Sequence, residues 1–163
     1  MKRKLFIVLT VLLFSQSIFA YKQEDVDKFK KTGICVNCDL SATTINQKTE
    51  GPINIRGSNI SHSMLFLNNN AESSDLSNVI AIRSKIRVAA AHLNFRNARL
   101  SESDLSGDSL MYADFTGAHL DDVDMFKVNL YGAKGVNFHE LKTCNRAVLP
   151  NGDIPKEDFC KKN

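Results

Sequence analysis

The 163-residue chain has no tryptophan and only three prolines, and 43% of its residues are hydrophobic. This composition argues against a disordered chain and favours a globular or solenoid one with a core. The chain also lacks G-x-S-x-G, a glycine-rich phosphate loop and H-E-x-x-H. Its four histidines are scattered without paired spacing. The sequence therefore predicts no enzymatic activity and no cofactor.

The N-terminus has the pattern of a secretory signal. Basic residues at positions 2–4 precede a ten-residue uncharged, mostly apolar run from Leu5 to Phe14, and Ala20 stands at the −1 position of a cleavage site. The run is shorter than the about 20 residues that span a membrane, although an uncleaved signal anchor is the alternative. We expect residues 1–20 to be removed, Tyr21 to begin the mature chain, and the protein to reach the periplasm or the exterior without a stable membrane span.

Removal of the predicted signal peptide also removes the net positive charge of the chain. The full chain carries 21 basic and 18 acidic side chains, and the predicted signal holds three of the basic ones and none of the acidic ones. The mature chain would be formally neutral. A neutral chain gives no electrostatic reason to expect nucleic acid or an anionic membrane as a partner.

From Phe95 to Leu130 a large apolar residue returns at every fifth position. Steps of five would carry the side chain about 140° round a helix and to alternate faces of a strand. Neither element would bury all of these residues, so the chain must turn after each pentad and wind as a coil around them. The predicted centres, with one upstream, are Leu40, Phe95, Leu100, Leu105, Leu110, Phe115, Leu120, Met125 and Leu130.

The segment ARLSESDLSGDSLMYADFTGAHL resembles the pentapeptide-repeat family, whose loose consensus is A-(D/N)-L-x-x. The resemblance implies an all-β fold, a right-handed quadrilateral β-helix with four pentads per coil. The central residue and the small residue two positions before it would point inward. We place this solenoid at residues 35–135. Asp108 departs from the pattern, and we expect local distortion or a backbone partner there because a carboxylate would be buried.

The upstream pentads are less regular. Their centres shift by one position at Leu76, Ala81 and Ile86 and return to register at Phe95. We interpret residues 66–73 as a protruding turn and residues 87–92 as an irregular coil segment.

Both ends of a repeat stack need a cover. The sequence pattern predicts a short helix over residues 23–32. This helix would end before Gly33 and would place Val26 and Phe29 on one face. Residues 21–34 are therefore predicted to cap the first coil. Residues 136–163, with a turn signal at 151–152, are predicted to form the C-terminal cap.

Four cysteines, Cys35, Cys38, Cys144 and Cys160, indicate disulfides in an exported chain. Three pairings are possible. In an extended solenoid the two ends are remote from each other, which leaves Cys35–Cys38 and Cys144–Cys160. A thiol–disulfide redox site is the alternative for the first pair, but no βαβ pattern surrounds it and Cys38 falls at a core position.

If four pentads make one coil, residues 20 apart stack into surface columns. An apolar column forms a candidate partner surface that consists of Met111, Tyr112, Phe126 and Tyr131. An acidic column is either a site for a hard cation such as calcium or a solvated edge that blocks aggregation. It consists of Glu102, Asp104, Asp121, Asp122 and Asp124.

Together these features predict an exported, non-enzymatic solenoid that presents a surface to an unidentified protein partner. One alternative is a topoisomerase-binding mimic of the DNA duplex, as in some pentapeptide-repeat proteins. That function needs a markedly acidic face in the cytoplasm, so the signal and the balanced charge argue against it. The other alternative is a thiol–disulfide protein that uses Cys35 and Cys38.

Overall fold

The computed structural model describes residues 21–47, 51–67, 71–156 and 160. The predicted signal peptide lies outside the described residues. Within them, no helix has the length and apolar character needed to cross a membrane. The elements in chain order are helix α1 (Gln23–Thr32), strands β1 (Thr44–Gln47), β2 (Met64–Leu67) and β3 (Lys85–Val88), and a 3-10 helix (Phe138–Glu140).

The chain winds as a four-sided coil whose successive turns pair in parallel. Strand β1 pairs with β2 and β2 with β3, and single parallel bridges continue every side of the coil. In the regular part, the bridged residues are 20 positions apart, as Asp104 and Asp124 are. This spacing corresponds to four pentads per coil.

We number the four sides by their outward-facing bridge residues. Side 1 carries Ile34, Asn54, Asp75, Asn94, Asp114 and Lys134. Side 2 carries Asp39, Asn59, Ile80, Arg99 and His119. Side 3 carries Thr44, Met64, Lys85, Asp104, Asp124 and Thr143. Side 4 carries Ala89, Ser109, Asn129 and Val148.

The core is built from the pentad centres. All nine predicted centres are completely buried. Two of them, Phe95 and Phe115, stack inside side 1 with their ring centroids 5.1 Å apart and their planes 2° from parallel. The residue before a centre faces outward, and His119, next to the buried Leu120, is exposed. Every fifth residue points into the core because the chain turns through one corner of the coil between successive centres.

The corners close in two ways. At eight consecutive corners, from 95–98 to 130–133, the N–H of the small inward residue donates to the carbonyl of the preceding centre, as Ala98 donates to Phe95 over 3.0 Å. At three corners in the first half, a buried serine of the next coil lies between those two groups. Ser58 accepts from the Cys38 N–H over 2.9 Å and donates to the Cys35 carbonyl. The other two bridging serines are Ser63 and Ser103.

The predicted protruding turn at residues 66–73 is wrong where the structure describes it. Residues 66 and 67 belong to β2, Leu67 is buried, and Ala71 is completely buried. Residues 68–70 lie outside the described residues. The coil is longer by one residue here, because Asn54 pairs with Asp75 at 21 positions.

The predicted irregular segment at residues 87–92 contains the place where the coil is shortened, but it is partly regular strand. Arg87 and Val88 belong to β3, and Ala90 is buried as the next centre. Only four positions separate this centre from Ile86. The coil is shorter by one residue here, because Lys85 pairs with Asp104 at 19 positions.

Both ends of the ladder extend beyond the predicted limits. Helix α1 covers the first coil with Val26 and Phe29, both buried, but the ladder already begins at Ile34. At the other end, bridges at Thr143 and Val148 continue the ladder past residue 135.

The sequence pattern is lost at Gly135, which takes the place of a large centre. A side chain there would collide with the backbone of Phe115 and Thr116. The 3-10 helix then replaces one side of the last coil. The Asp122 N–H donates to the Glu140 carbonyl over 2.8 Å, and the coil resumes beyond it. The C-terminal cap is therefore shorter than predicted.

Candidate interaction surface

Aromatic rings stack along the corner between sides 4 and 1. The rings of His92 and Tyr112, which lie 20 positions apart, are 4.9 Å apart and 9° from parallel. The Tyr131 ring lies 5.6 Å from that of Tyr112 at an angle of 79°. Both tyrosines are 43% exposed. The corner therefore presents a continuous aromatic edge to the solvent.

The backbone of this corner explains why the rings stack. His92 and Tyr112 occupy the left-handed corner position, with φ of 58° at each, and Gly132 occupies the same position one coil later with φ of 70°. A side chain at Gly132 would overlap the Tyr112 ring. Glycine there leaves room for the Tyr112 ring over the next corner, and the Tyr131 ring takes the adjacent space.

Side 4 separates this corner from Phe126. Met111 and Phe126 are half-buried, and the Lys127 ammonium lies 5.0 Å from the centre of the Phe126 ring. The outward bridge residues between them are uncharged. We call this the side-4 surface, which consists of Ser109, Met111, Tyr112, Phe126, Asn129 and Tyr131.

The structure thus places the four predicted partner residues along the two edges of one side. Three of them line one edge and Phe126 lines the other. Sequence reasoning missed His92, because it treated the histidines as scattered. Its distance of 20 positions from Tyr112 was the available signal. Counting back 20 positions from Tyr112 crosses into the stretch before Phe95, where the sequence register is irregular, so the count alone did not identify His92.

Charged side chains on the other sides pair between coils. On the edge of side 3, Arg83 and Glu102 form two hydrogen bonds of 2.7 and 3.1 Å. On side 1, the Asp114 carboxylate lies 3.0 Å from Arg96 and 3.2 Å from Lys134. Burial acts to raise the pKa of Asp114, but hydrogen bonds from Thr116 and the two cations outweigh it and hold that pKa well below its usual range.

The predicted acidic column is partly neutralised. Asp104 lies over Asp124 as expected, but its carboxylate contacts Arg87 at 2.5 Å and Lys85 at 3.5 Å. Glu102 is bound to Arg83. Among the described residues, the one group of three possible metal-binding side chains with adjacent ligand atoms is Asp25, Cys35 and Cys38. The five carboxylates of the column therefore do not converge on one point.

Both disulfides join the cysteines that the sequence analysis paired. Cys35 and Cys38 are bonded with their Cα atoms 5.5 Å apart, and Cys144 and Cys160 with theirs 5.6 Å apart. All four cysteines are buried. Cys35 is itself a pentad centre, five positions before Leu40, which the sequence analysis did not notice. Because the sulfur atoms of the Asp25 group are bonded to each other, they offer no thiolates to a metal.

Residues 91–125 match the family model described as pentapeptide repeats, in 8 copies. No match is found among curated proteins. The repeats and the four-sided ladder together make the fold a right-handed quadrilateral β-helix.

Several solved structures are similar to the chain. One is HetL, a pentapeptide repeat protein involved in heterocyst differentiation regulation from the cyanobacterium Nostoc sp. strain PCC 7120, with 22% identity over 75% of this chain and 62% of that one and a TM-score of 0.45. The chain therefore spans less than two thirds of the length of HetL. Rfr23 from the cyanobacterium Cyanothece 51142 shows 19% identity over 68% and 92% of the two chains, with a TM-score of 0.35. QnrB1, a plasmid-mediated fluoroquinolone resistance protein, shows 15% identity over 73% and 84%, with a TM-score of 0.29.

Proposed function

We propose that this β-helix, with pentapeptide repeats at residues 91–125, is an exported, non-enzymatic protein that presents its side-4 surface to a protein partner. The observation that carries the proposal is the exposure of Tyr112 and Tyr131 at the edge of an uncharged side. Tyrosine and other aromatic residues are enriched in the cores of protein interfaces, from which charged residues are depleted. A rigid solenoid side also loses little conformational freedom on binding.

The distribution of charge favours this function over mimicry of a DNA duplex. A duplex mimic needs a continuous acidic face. On side 3, Lys85 and Arg87 lie directly before Asp104 along the ladder, and Arg83 binds Glu102. These three cations neutralise Glu102 and Asp104, so the acidic residues of this side do not form a continuous unpaired face.

The environment of the first disulfide favours a structural role over thiol–disulfide exchange. Cys35 is completely buried and Cys38 is 6% exposed. A redox cysteine has to be reached by its partner thiol. The bridge lies in the core of the first coil, beneath helix α1, where it holds the chain entering the solenoid.

Export is supported by the signal pattern and by the pairing of all four cysteines, because disulfides persist in oxidising compartments. The test is the intact mass of protein recovered from the periplasm or the medium. We expect a mature chain that begins at Tyr21 with both disulfides formed. A full-length chain confined to the cytosol would reject export and would reopen the topoisomerase hypothesis.

The partner surface is tested with a double variant, Tyr112→Ser with Tyr131→Ser. The disulfide-intact protein is cross-linked in the compartment to which it is exported, and its partners are identified by mass spectrometry. We expect the wild type to retain a specific partner that the double variant loses.

The matched control is Met64→Ser. Met64 is 38% exposed, close to the value for the tyrosines, but lies on side 3. Loss of an exposed apolar side chain there should leave the partner bound. A partner that survives the tyrosine changes and is lost with Met64→Ser would place the interaction on side 3 and reject the proposal.

A further inference from the structure

Asp108 occupies an inward position where the other buried polar residues are serines. The serine hydroxyls at open corners have two functions: they accept from a backbone N–H of the coil before and donate to a backbone carbonyl of that coil. A hydroxyl can do both because it is a donor and an acceptor. An ionised carboxylate can only accept.

The corner opposite Asp108 is the one that lacks a residue. Only four positions separate the buried centres Ile86 and Ala90, at the end of β3. The Oδ1 atom of Asp108 accepts from the Val88 N–H over 2.9 Å, as a serine hydroxyl does elsewhere. The carbonyl of Ile86 is bonded instead by the Arg87 guanidinium, over 2.9 Å. Arg87 thus supplies the donor that a serine hydroxyl supplies at the other open corners.

The second carboxyl oxygen of Asp108 has no such compensation. The side chain is 5% exposed, and its Oδ2 atom is buried without a hydrogen-bond partner in the structure. Buried polar atoms without partners are uncommon in folded proteins. A buried charge on such an atom costs far more than a buried neutral hydroxyl.

The charged groups around this carboxyl do not offset that cost. Arg87 acts in favour of the ionised form, but its guanidinium is already bound to Asp104. Asp104 is negative and acts against ionisation, and Lys85 also binds Asp104. On the following coil the Lys127 ammonium is exposed and lies over the Phe126 ring, so it does not offset the cost of a charge on Asp108 either.

We propose that Asp108 is a proton-sensitive latch of the solenoid: it is a neutral acid in the closed corner, and loss of its proton opens the corner between β3 and side 4. The ionised carboxylate gains hydration only when the corner opens to water. The corner adjoins the side-4 surface through Ser109, so the state of the latch also affects the proposed partner surface, although the latch does not depend on that function.

The direction of the pH dependence follows from the carboxyl's environment. Burial raises the pKa of Asp108 to about 7, against 3.8 for an ordinary aspartate, and Asp104 adds to the rise, while the Val88 N–H and Arg87 oppose it. The folded chain therefore binds this proton more tightly than the unfolded chain does. The stabilisation is complete below the unfolded value and is lost as the pH rises through the folded value. A difference of this size corresponds to at most about a 10³-fold change in the unfolding equilibrium constant.

The test compares urea unfolding of the wild type and Asp108→Asn at pH 5 and pH 8. Asparagine has nearly the same shape and no titrating proton. We expect the unfolding equilibrium constant of the wild type to rise from pH 5 to pH 8 by up to about 10²-fold more than that of the variant. The four histidines are common to both proteins and cancel in this comparison. Equal changes in the two proteins would reject the latch.

Asp124→Asn is the matched control, because Asp124 is a half-buried aspartate on side 3 of the following coil. It should keep the wild-type dependence on pH, and a loss of that dependence would place the titrating group elsewhere. If Asp108→Asn does not fold, the titration of the wild-type Asp108 carboxyl is followed by carbon-13 NMR as the pH is changed. A midpoint near pH 7 supports the latch and a midpoint near pH 4 rejects it.

Discussion

The first half of the solenoid, residues 34–90, and the second half, residues 91–149, build the same coil with different corners. In the second half, eight consecutive corners close directly through their own backbone, as the N–H of Ala98 does on Phe95. In the first half the two kinds of corner are mixed. Some close directly, as the N–H of Ser63 does on Ile60, but three stay open and are bridged by the hydroxyl of a serine from the next coil, as Ser58 bridges Cys35 and Cys38.

This difference shows that a buried centre does not by itself determine the corner that follows it. A directly closed corner depends on residues of one coil. An open corner depends on a residue about 20 positions later, because its N–H and carbonyl would otherwise lack partners. The family match begins at residue 91, shortly before the unbroken run of eight directly closed corners begins at 95–98.

The largest expected effect tests whether the two halves share one kind of core. Ile60 and Leu120 are completely buried centres, one in each half. Ile60→Ala and Leu120→Ala should each lower the free energy of unfolding by about 2–5 kcal/mol, through lost burial and a cavity. Urea titration measures both losses.

His119→Ala is the control for this pair, because its side chain faces water beside Leu120. Most surface changes of this kind stay within about 0.5 kcal/mol. Equal losses for His119→Ala and Leu120→Ala would contradict the period-five core. If the titration showed two transitions and each variant lowered only the one that belongs to its own half, the halves would unfold separately.

The second prediction concerns the closure of the two ends. The bond between Cys144 and Cys160 joins residues 16 positions apart, whereas Cys35 and Cys38 are 3 apart. Replacing both Cys144 and Cys160 by serine should cost about 3 kcal/mol, because the unfolded chain regains the freedom of a long loop. Thermal unfolding of the variant measures it, and an unchanged melting temperature would show that the last coil is held without this bond.

The third prediction tests the open corners themselves. Ser103 accepts from the Ser84 N–H over 3.0 Å and donates to the Ala81 carbonyl. Ser103→Ala should cost about 1–3 kcal/mol in the free energy of unfolding, because both backbone groups lose their partner. Ser109→Ala is the matched control on the outside of side 4, with an expected change within about 0.5 kcal/mol. Similar values for both serines would mean that water or a closed corner can replace the hydroxyl.

The smallest expected effect concerns a surface carboxylate of the second half. The pKa of Asp114 is lowered in the folded chain, so its stabilisation is present above the ordinary value of 3.8 and is lost as the pH falls through the folded value. Thermal unfolding between pH 5 and pH 2 should therefore decline less steeply for Asp114→Asn than for the wild type. This direction is opposite to that expected for Asp108. High salt should reduce the Asp114 effect, since its cations are exposed.

Part of the candidate surface was predictable and part was not. Met111, Tyr112, Phe126 and Tyr131 lie in the regular stretch, where adding 20 positions gives the neighbour on the next coil. The same counting places the uncharged residues Ser109 and Asn129 between them, an inference that the sequence analysis did not make. His92 lies at the edge of the irregular stretch, where a one-residue error in coil length moves a side chain to another part of the corner.

The sequence by itself determined the period of the core, the covering helix with Val26 and Phe29, and the grouping of the cysteines by ends of the chain. These features depend on residues that are close together along the chain. Only the tertiary structure decided which corners are open, where a coil gains or loses a residue, and how far the ladder runs past Gly135. The burial of Asp108 beside a shortened corner belongs to the same group. All of these depend on contacts between coils, and those contacts involve residues 19, 20 or 21 positions apart according to the local coil length.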